Sequence, residues 1–297
     1  MRNLKSRLVP VAFLLLAMIG NPLMARGPSG DPASPSEIPS GGSYTLVVDG
    51  YDWGACVSKV ILDMSEAQNG VNAGDFTVKA ERSSECTEIE GAAAAGERSI
   101  VHAYVSDAEG QPVESGRYIT LVLYVSPSLP LGSALQYVRN DLCRGNVWVD
   151  YRVTVTDRAS GRVWDTETGR ISKLLDRFDL SGRYRVNDDL TMSYAFYAPP
   201  EKTGKSPLII WLHGGGEGGT DPSVPLMANR AANYASDEIQ AIFQGAWVLV
   251  PQCPGAWMHN ASGVMTHGEE DDMYHVGLMQ LIRDFVSGHP DIDPDRI

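Results

Sequence analysis

The stretch Leu208-Ile-Ile-Trp-Leu-His-Gly-Gly-Gly-Glu-Gly-Gly219 decides how the second half of the chain is read. Five consecutive apolar residues with no polar alternation fit a strand covered on both faces, as in a sheet flanked by helices. Glycines directly after a buried strand let backbone N–H groups turn toward an incoming group with no Cβ in the way. In acyl transfer such a loop donates to the oxyanion of the tetrahedral intermediate, with Gly215 and Gly216 as the donors expected here. A phosphate cradle would carry G-x-x-x-x-G-K-[ST], which is absent.

Working outward, Tyr184 to Val186 and Tyr194 to Ala198 read as strands, the second closed by Pro199-Pro200. Residues 227 to 243 carry a helical period, and Ala246-Trp-Val-Leu-Val250 repeats the buried-strand pattern. Over Met273 to Val286, a helix presents Val276, Met279, Ile282, Phe285 and Val286 as its expected apolar face. Strand, helix, strand, helix predicts an α/β domain with a largely parallel sheet over residues 173–297. Four residues near the loop are expected to line a pocket: His213, which would orient the loop by hydrogen bonding, Glu217, and Gln252 and Trp257 just past a strand's carboxyl end.

Upstream the grammar changes to short β-type runs: Tyr44 to Val48, Val57 to Leu62, Phe76 to Ala80, Ile100 to Val105, Ile119 to Val125 and Val147 to Val155. In the last, Val147, Val149, Tyr151, Val153 and Val155 alternate with polar residues or tryptophan, and Asp107 to Gly110 supplies a turn. These predict an Ig-like β-sandwich over residues 43–157, with the polar stretch 156–170 as the domain boundary. Residues 26–42, rich in Gly, Pro, Ser and Asp, read as a flexible linker. Arg2, Lys5 and Arg7, the apolar stretch Val9 to Ile19 and Leu23-Met24-Ala25 make residues 1–25 a signal peptide, giving a secreted or periplasmic protein. The apolar stretch is shorter than the roughly 20 residues of a membrane span, so no membrane association is expected after cleavage.

The composition agrees with a globular chain: 297 residues, 43% hydrophobic, with a formal charge of −13 that makes nucleic acid an unfavourable partner. Cys56, Cys86, Cys143 and Cys253 can pair in three ways, and nothing in their spacing chooses among them. No metal and no cofactor is expected. His259, His267 and His275 beside Glu269 to Asp272 lack H-E-x-x-H spacing, and the acids suit a helix N-terminus better. Asp291, Asp293 and Asp295 lack the Gly and Glu of a calcium loop and read as a polar turn.

Residues 184 to 297 resemble exported α/β-hydrolase esterases that carry an Ig-like N-terminal domain, related to prolyl-oligopeptidase-like proteins and polyhydroxybutyrate depolymerases. The resemblance rests on Ser206 to Asp221, Val248-Leu-Val-Pro-Gln252, Trp257-Met258 and Asp291-Ile-Asp-Pro-Asp-Arg-Ile297. Val57 to Leu62 and Gly116 to Leu123 resemble the partner domain. The resemblance implies a serine esterase acting on an ester-bearing substrate such as a decorated polysaccharide or a polyester. In that family the nucleophile lies in G-x-S-x-G, followed by the acid and the histidine. No such motif occurs in this sequence, so the chain is expected to hold the first, incomplete part of an α/β-hydrolase domain and to be inactive as it stands. The alternatives are a serine peptidase of the prolyl-oligopeptidase type and a non-catalytic secreted binding module.

Overall fold

The computed structural model describes residues 41–200, 204–267 and 272–297. The expected signal peptide 1–25, residues 26–40 of the expected linker and the acids 269–271 lie outside these. The first half contains ten strands: β1 (Gly42–Tyr51), β2 (Gly54–Gln68), β3 (Phe76–Ser83), β4 (Ala95–Arg98), β5 (Ile100–Ser106), β6 (Gly116–Leu123), β7 (Leu135–Arg139), β8 (Arg144–Trp148), β9 (Asp150–Asp157) and β10 (Val163–Ile171). Eight of them hydrogen-bond in the order β4-β3-β9-β10-β1-β2-β6-β5. Laid flat, such a sheet would be about 34 Å wide. Its two edge strands, however, are consecutive in the chain with only Ser99 between them, so the sheet must fold over on itself. Arg98 sits at this closure, 3% exposed, donating to the Tyr151 hydroxyl, to the Val57 carbonyl at 3.0 Å and to the Tyr124 carbonyl at 2.9 Å. Leu46, Val60, Leu121, Val153 and Val155 fill the space between the layers.

Two expectations are corrected here. The stretch 156–170 is not a boundary, because β10 occupies most of it and pairs in parallel with β1 and antiparallel with β9. Its apolar anchor is Trp164, fully buried and donating from Nε1 to the Asp63 carbonyl at 2.9 Å, while the polar residues around it face outward and imitate a linker. The run Val147 to Val155 is also not one strand. It divides between β8, which leaves the main sheet to form a hairpin with β7, and β9, which stays. Among the cysteines, Cys86 and Cys143 form a disulfide that ties this hairpin's turn to the segment after β3, whereas Cys56 and Cys253 are free and buried.

The second half builds a smaller sheet from β11 (Asp179–Arg185), β12 (Thr191–Tyr197), β13 (Leu208–Ile210) and β14 (Trp247–Gln252), in the order β11-β12-β14-β13. It is mixed rather than largely parallel, since of its three adjacent pairs only β13–β14 is parallel and β12 runs against the other strands. The apolar runs report burial on both faces and carry no information on direction. Helices α1 (Ser223–Ala228), α2 (Asp237–Phe243) and α3 (His275–Gly288) accompany it. The expected helix over 227–243 is broken at Arg230, whose φ of 57° is left-handed; a 3-10 turn follows, and Ser236 then caps α2. In α3 the expected face is rotated: Val276 is 65% exposed, while Gly277, Leu281 and Phe285 are buried. Glycine at 277 sets this orientation, because a Cβ there would lie 2.6 Å from Val186 Cγ2.

Residues 41–297 form one compact unit. Leu226, Met227 and Ala228 of α1, with Ala231 and Ala235, join the same buried cluster as the sandwich residues Val48, Ala55 and Val57. A second cluster, including Met192, Leu249, Leu281 and Phe285, lies between the small sheet and α3. Among the described residues no helix is long and apolar enough to cross a membrane.

Candidate active-site loop

Residues 213–219 leave β13 beside the carboxyl end of β14, so the parallel pair delivers the glycine loop and the segment after Gln252 to one place. The two segments lock together. Gly219 N–H donates to the Cys253 carbonyl at 2.9 Å, and a Cβ on Gly218 would lie 1.9 Å from the Gly255 carbonyl oxygen, so only glycine permits the approach.

His213 is 4% exposed beneath the loop. Its Nδ1 lies 2.6 Å from the Gly214 carbonyl, and its Nε2 accepts from the Cys253 N–H at 3.2 Å. A carbonyl can only accept and a backbone N–H can only donate, so the ring carries its proton on Nδ1 and is neutral. Burial draws its pKa below 6.5, against the opposing pull of the Gly214 carbonyl and the Glu217 carboxylate. With both nitrogens engaged, His213 orients the loop and has no nitrogen available as a general base. The Cys253 thiol lies 3.6 Å from Nε2 and burial pushes its pKa up to about 12, which keeps it protonated and poorly nucleophilic at neutral pH.

Two of the loop's glycine carbonyls are bound. Gly214 O also accepts from Glu217 N–H at 3.3 Å, and Gly216 O accepts from Asn146 N–H at 2.6 Å. Among the described residues, the N–H groups of Gly214, Gly215 and Gly216 have no acceptor, and Gly214 and Gly215 are exposed. Three successive donors are therefore left unpaired in a loop whose Gly214 and Gly216 carbonyls are bound. Gly214, Gly216 and Gly219 also satisfy G-x-G-x-x-G spacing. A dinucleotide fingerprint opens directly into a helix, whereas this loop closes onto Cys253 and Gly255 and the next helix, α1, has only six residues.

The four residues expected to line a pocket are all placed around this loop. Glu217 is 6% exposed and accepts from Asn146 Nδ2 at 3.1 Å. Gln252, 1% exposed, donates from Nε2 to the Glu217 carbonyl at 2.9 Å, leaving its Oε1 without a partner among the described residues. Trp257 packs on His213 at 5.0 Å between ring centroids and edge-on to Tyr274, and its Nε1 is likewise unpartnered. Two contributors had no signal near the loop in sequence: Asn146 and Tyr137, which face each other in the β7–β8 hairpin. The other expected features lie apart from the site. Asp293 pairs with Arg296 at 2.7 Å, and Asp291 accepts from Trp247 Nε1 at 3.0 Å. The described residues hold no group of three His, Cys, Asp or Glu able to ligate a metal.

Residues 43–169 match the family model described as the esterase Ig-like N-terminal domain. No curated protein matches the chain. Among solved structures, a thermostable esterase is similar with a TM-score of 0.69 and 20% identity, over 86% of this chain and 69% of that one. An acylaminoacyl peptidase from Pyrococcus horikoshii is similar at a TM-score of only 0.25 and 14% identity, over 82% of this chain and 51% of that one. The first likeness is one of fold, and together with the family match it shows an esterase-like fold that includes an Ig-like domain.

Proposed function

We propose that the glycine loop is the oxyanion element of an exported serine esterase acting on carboxylic or carbohydrate esters. The observation that carries this reading is the row of unpaired N–H groups at Gly214, Gly215 and Gly216, in a loop whose Gly214 and Gly216 carbonyls are bound. When a serine oxygen attacks an ester carbonyl, the C=O π pair moves onto oxygen, and the new anion needs donors already in position. Loss of one such donor costs about 3 kcal/mol of transition-state stabilisation. Gly215 and Gly216 supply these donors, while Gln252 and Trp257, whose unpaired Oε1 and Nε1 are buried, pack against the loop. The sequence contains no G-x-S-x-G, so the proposal assigns these residues the oxyanion and pocket elements and not the nucleophile, acid or base.

Methylphosphonate, a small tetrahedral oxyanion, tests the loop. In 15N-labelled protein it is expected to shift the Gly215 and Gly216 amide resonances saturably while sandwich amides stay in place; unmoved glycine resonances would overturn the reading. The 297-residue chain is expected to turn over neither p-nitrophenyl acetate nor a chromogenic peptide. Specific ester turnover would show that a nucleophile is present among these residues.

A further inference from the structure

The glycine loop is held by the sandwich as well as by its own sheet. One stretch of the β7–β8 hairpin bonds to it at two points and to the start of α1 at a third. Asn146 N–H donates to Gly216 O at 2.6 Å, Asn146 Nδ2 donates to Glu217 Oε1 at 3.1 Å, and Trp148 Nε1 donates to Ser223 Oγ at 2.8 Å at the start of α1. The closeness depends on Gly145. Its φ is 93°, and a Cβ there would lie 2.6 Å from the Gly216 carbonyl oxygen. Across the hairpin Tyr137, 57% exposed, brings its ring to 3.2 Å from where a Cβ on Gly216 would stand.

The charge arrangement gives these contacts a purpose. Glu217 Oε2 lies 2.9 Å from the position of a Cβ on Gly214, so a buried carboxylate sits beside the donors that would receive an oxyanion. Unrestrained, that carboxylate could compete for the same N–H groups or repel the anion. Its other oxygen is held by the Asn146 amide, a neutral donor that adds no charge of its own.

We propose that Asn146, supplied by the sandwich, is the positioning residue of the glycine loop. Its backbone N–H fixes the Gly216 carbonyl, and its side-chain amide restrains the Glu217 carboxylate, so the Ig-like domain sets the geometry of the loop that carries the unpaired Gly214, Gly215 and Gly216 N–H groups. The functional meaning of this role rests on the oxyanion reading above; the positioning itself does not.

The test follows amide hydrogen exchange by NMR in the full chain at Glu217, Gly219 and Cys253, whose N–H groups bond within the loop pair. Asn146→Ala and Asn146→Asp are expected to speed exchange at these amides by about tenfold or more, the second by placing two carboxylates together. The double variant Asn146→Asp/Glu217→Gln exchanges the places of amide and carboxylate, and should return the Gly219 and Cys253 rates to within about threefold of the parent. Unchanged rates at Val60, Leu121 and Val153 certify that the sandwich is intact. Parent-like exchange in Asn146→Asp, or a double variant no slower than Asn146→Asp alone, would overturn the proposal. Titration with methylphosphonate separates the two readings. A parent whose Gly215 and Gly216 resonances ignore the anion, while exchange follows the expected pattern, loses the oxyanion function and keeps the positioning role.

Discussion

At the scale of single residues, His213 shows how a histidine can be essential to a loop without taking part in proton transfer. Its neutral tautomer is fixed by one acceptor and one donor of the backbone, and burial lowers its pKa from 6.5. As pH falls through 6.5 the unfolded chain takes up a proton that the folded ring resists, so the stability from this residue is full above 6.5 and is lost as pH falls toward the folded value. At pH 5.5 the loss has a ceiling of about 1.4 kcal/mol. Urea denaturation of the parent and His213→Asn at pH 7.5 and 5.5 should show a smaller acid-induced loss in the variant. Equal losses would mean that the ring titrates in the folded protein as it does in the unfolded one. This residue could be read from sequence because it is contiguous with the glycines it orients. Asn146 could not, because 71 positions separate it from Glu217 and an asparagine between Gly and Val carries no chemical signature of its own.

At the scale of elements, apolar patterning located most strands and left their company undetermined. Tyr44 to Val48 and Phe76 to Ala80 announce β1 and β3, but β10 escapes because a single buried tryptophan among outward polar residues gives no alternation to count. Helix α3 was legible as a helix, yet its face was misjudged because a glycine marks the closest contact. Two opposing effects meet at Gly277, and their sizes decide the outcome. Alanine in a helix interior is worth about 1 kcal/mol over glycine. A Cβ 2.6 Å from the stiff, β-branched Val186 would force the helix off the sheet, and overpacking of this kind costs about 1–3 kcal/mol. Gly277→Ala is therefore expected to lower stability by up to about 2 kcal/mol, read as a reduced urea midpoint at unchanged slope. A raised midpoint would show that Val186 yields freely and that propensity prevails.

At the scale of the whole molecule, a division into sandwich and α/β portion describes the chain's composition better than its energetics. Helix α1 follows the glycine loop in sequence, but Leu226, Met227 and Ala228 are buried in the cluster that contains Val48, Ala55 and Val57 of the sandwich. A polar link reinforces this contact: Trp148 Nε1 donates to Ser223 Oγ at 2.8 Å. Domains that can unfold separately meet through surfaces resembling transient interfaces, with each core closed on its own side. Here one core runs through both portions, so unfolding either would expose apolar side chains of the other to water, at roughly 25 cal/mol for each Å² uncovered. The expectation is a single cooperative transition. Scanning calorimetry of the full chain should give one peak whose van't Hoff enthalpy equals the calorimetric enthalpy. Two resolved peaks, or a van't Hoff value near half the calorimetric one, would mean that the shared cluster couples the portions too weakly to hold them together. In that case, control of the glycine loop by Asn146 would be lost as soon as the less stable portion opened.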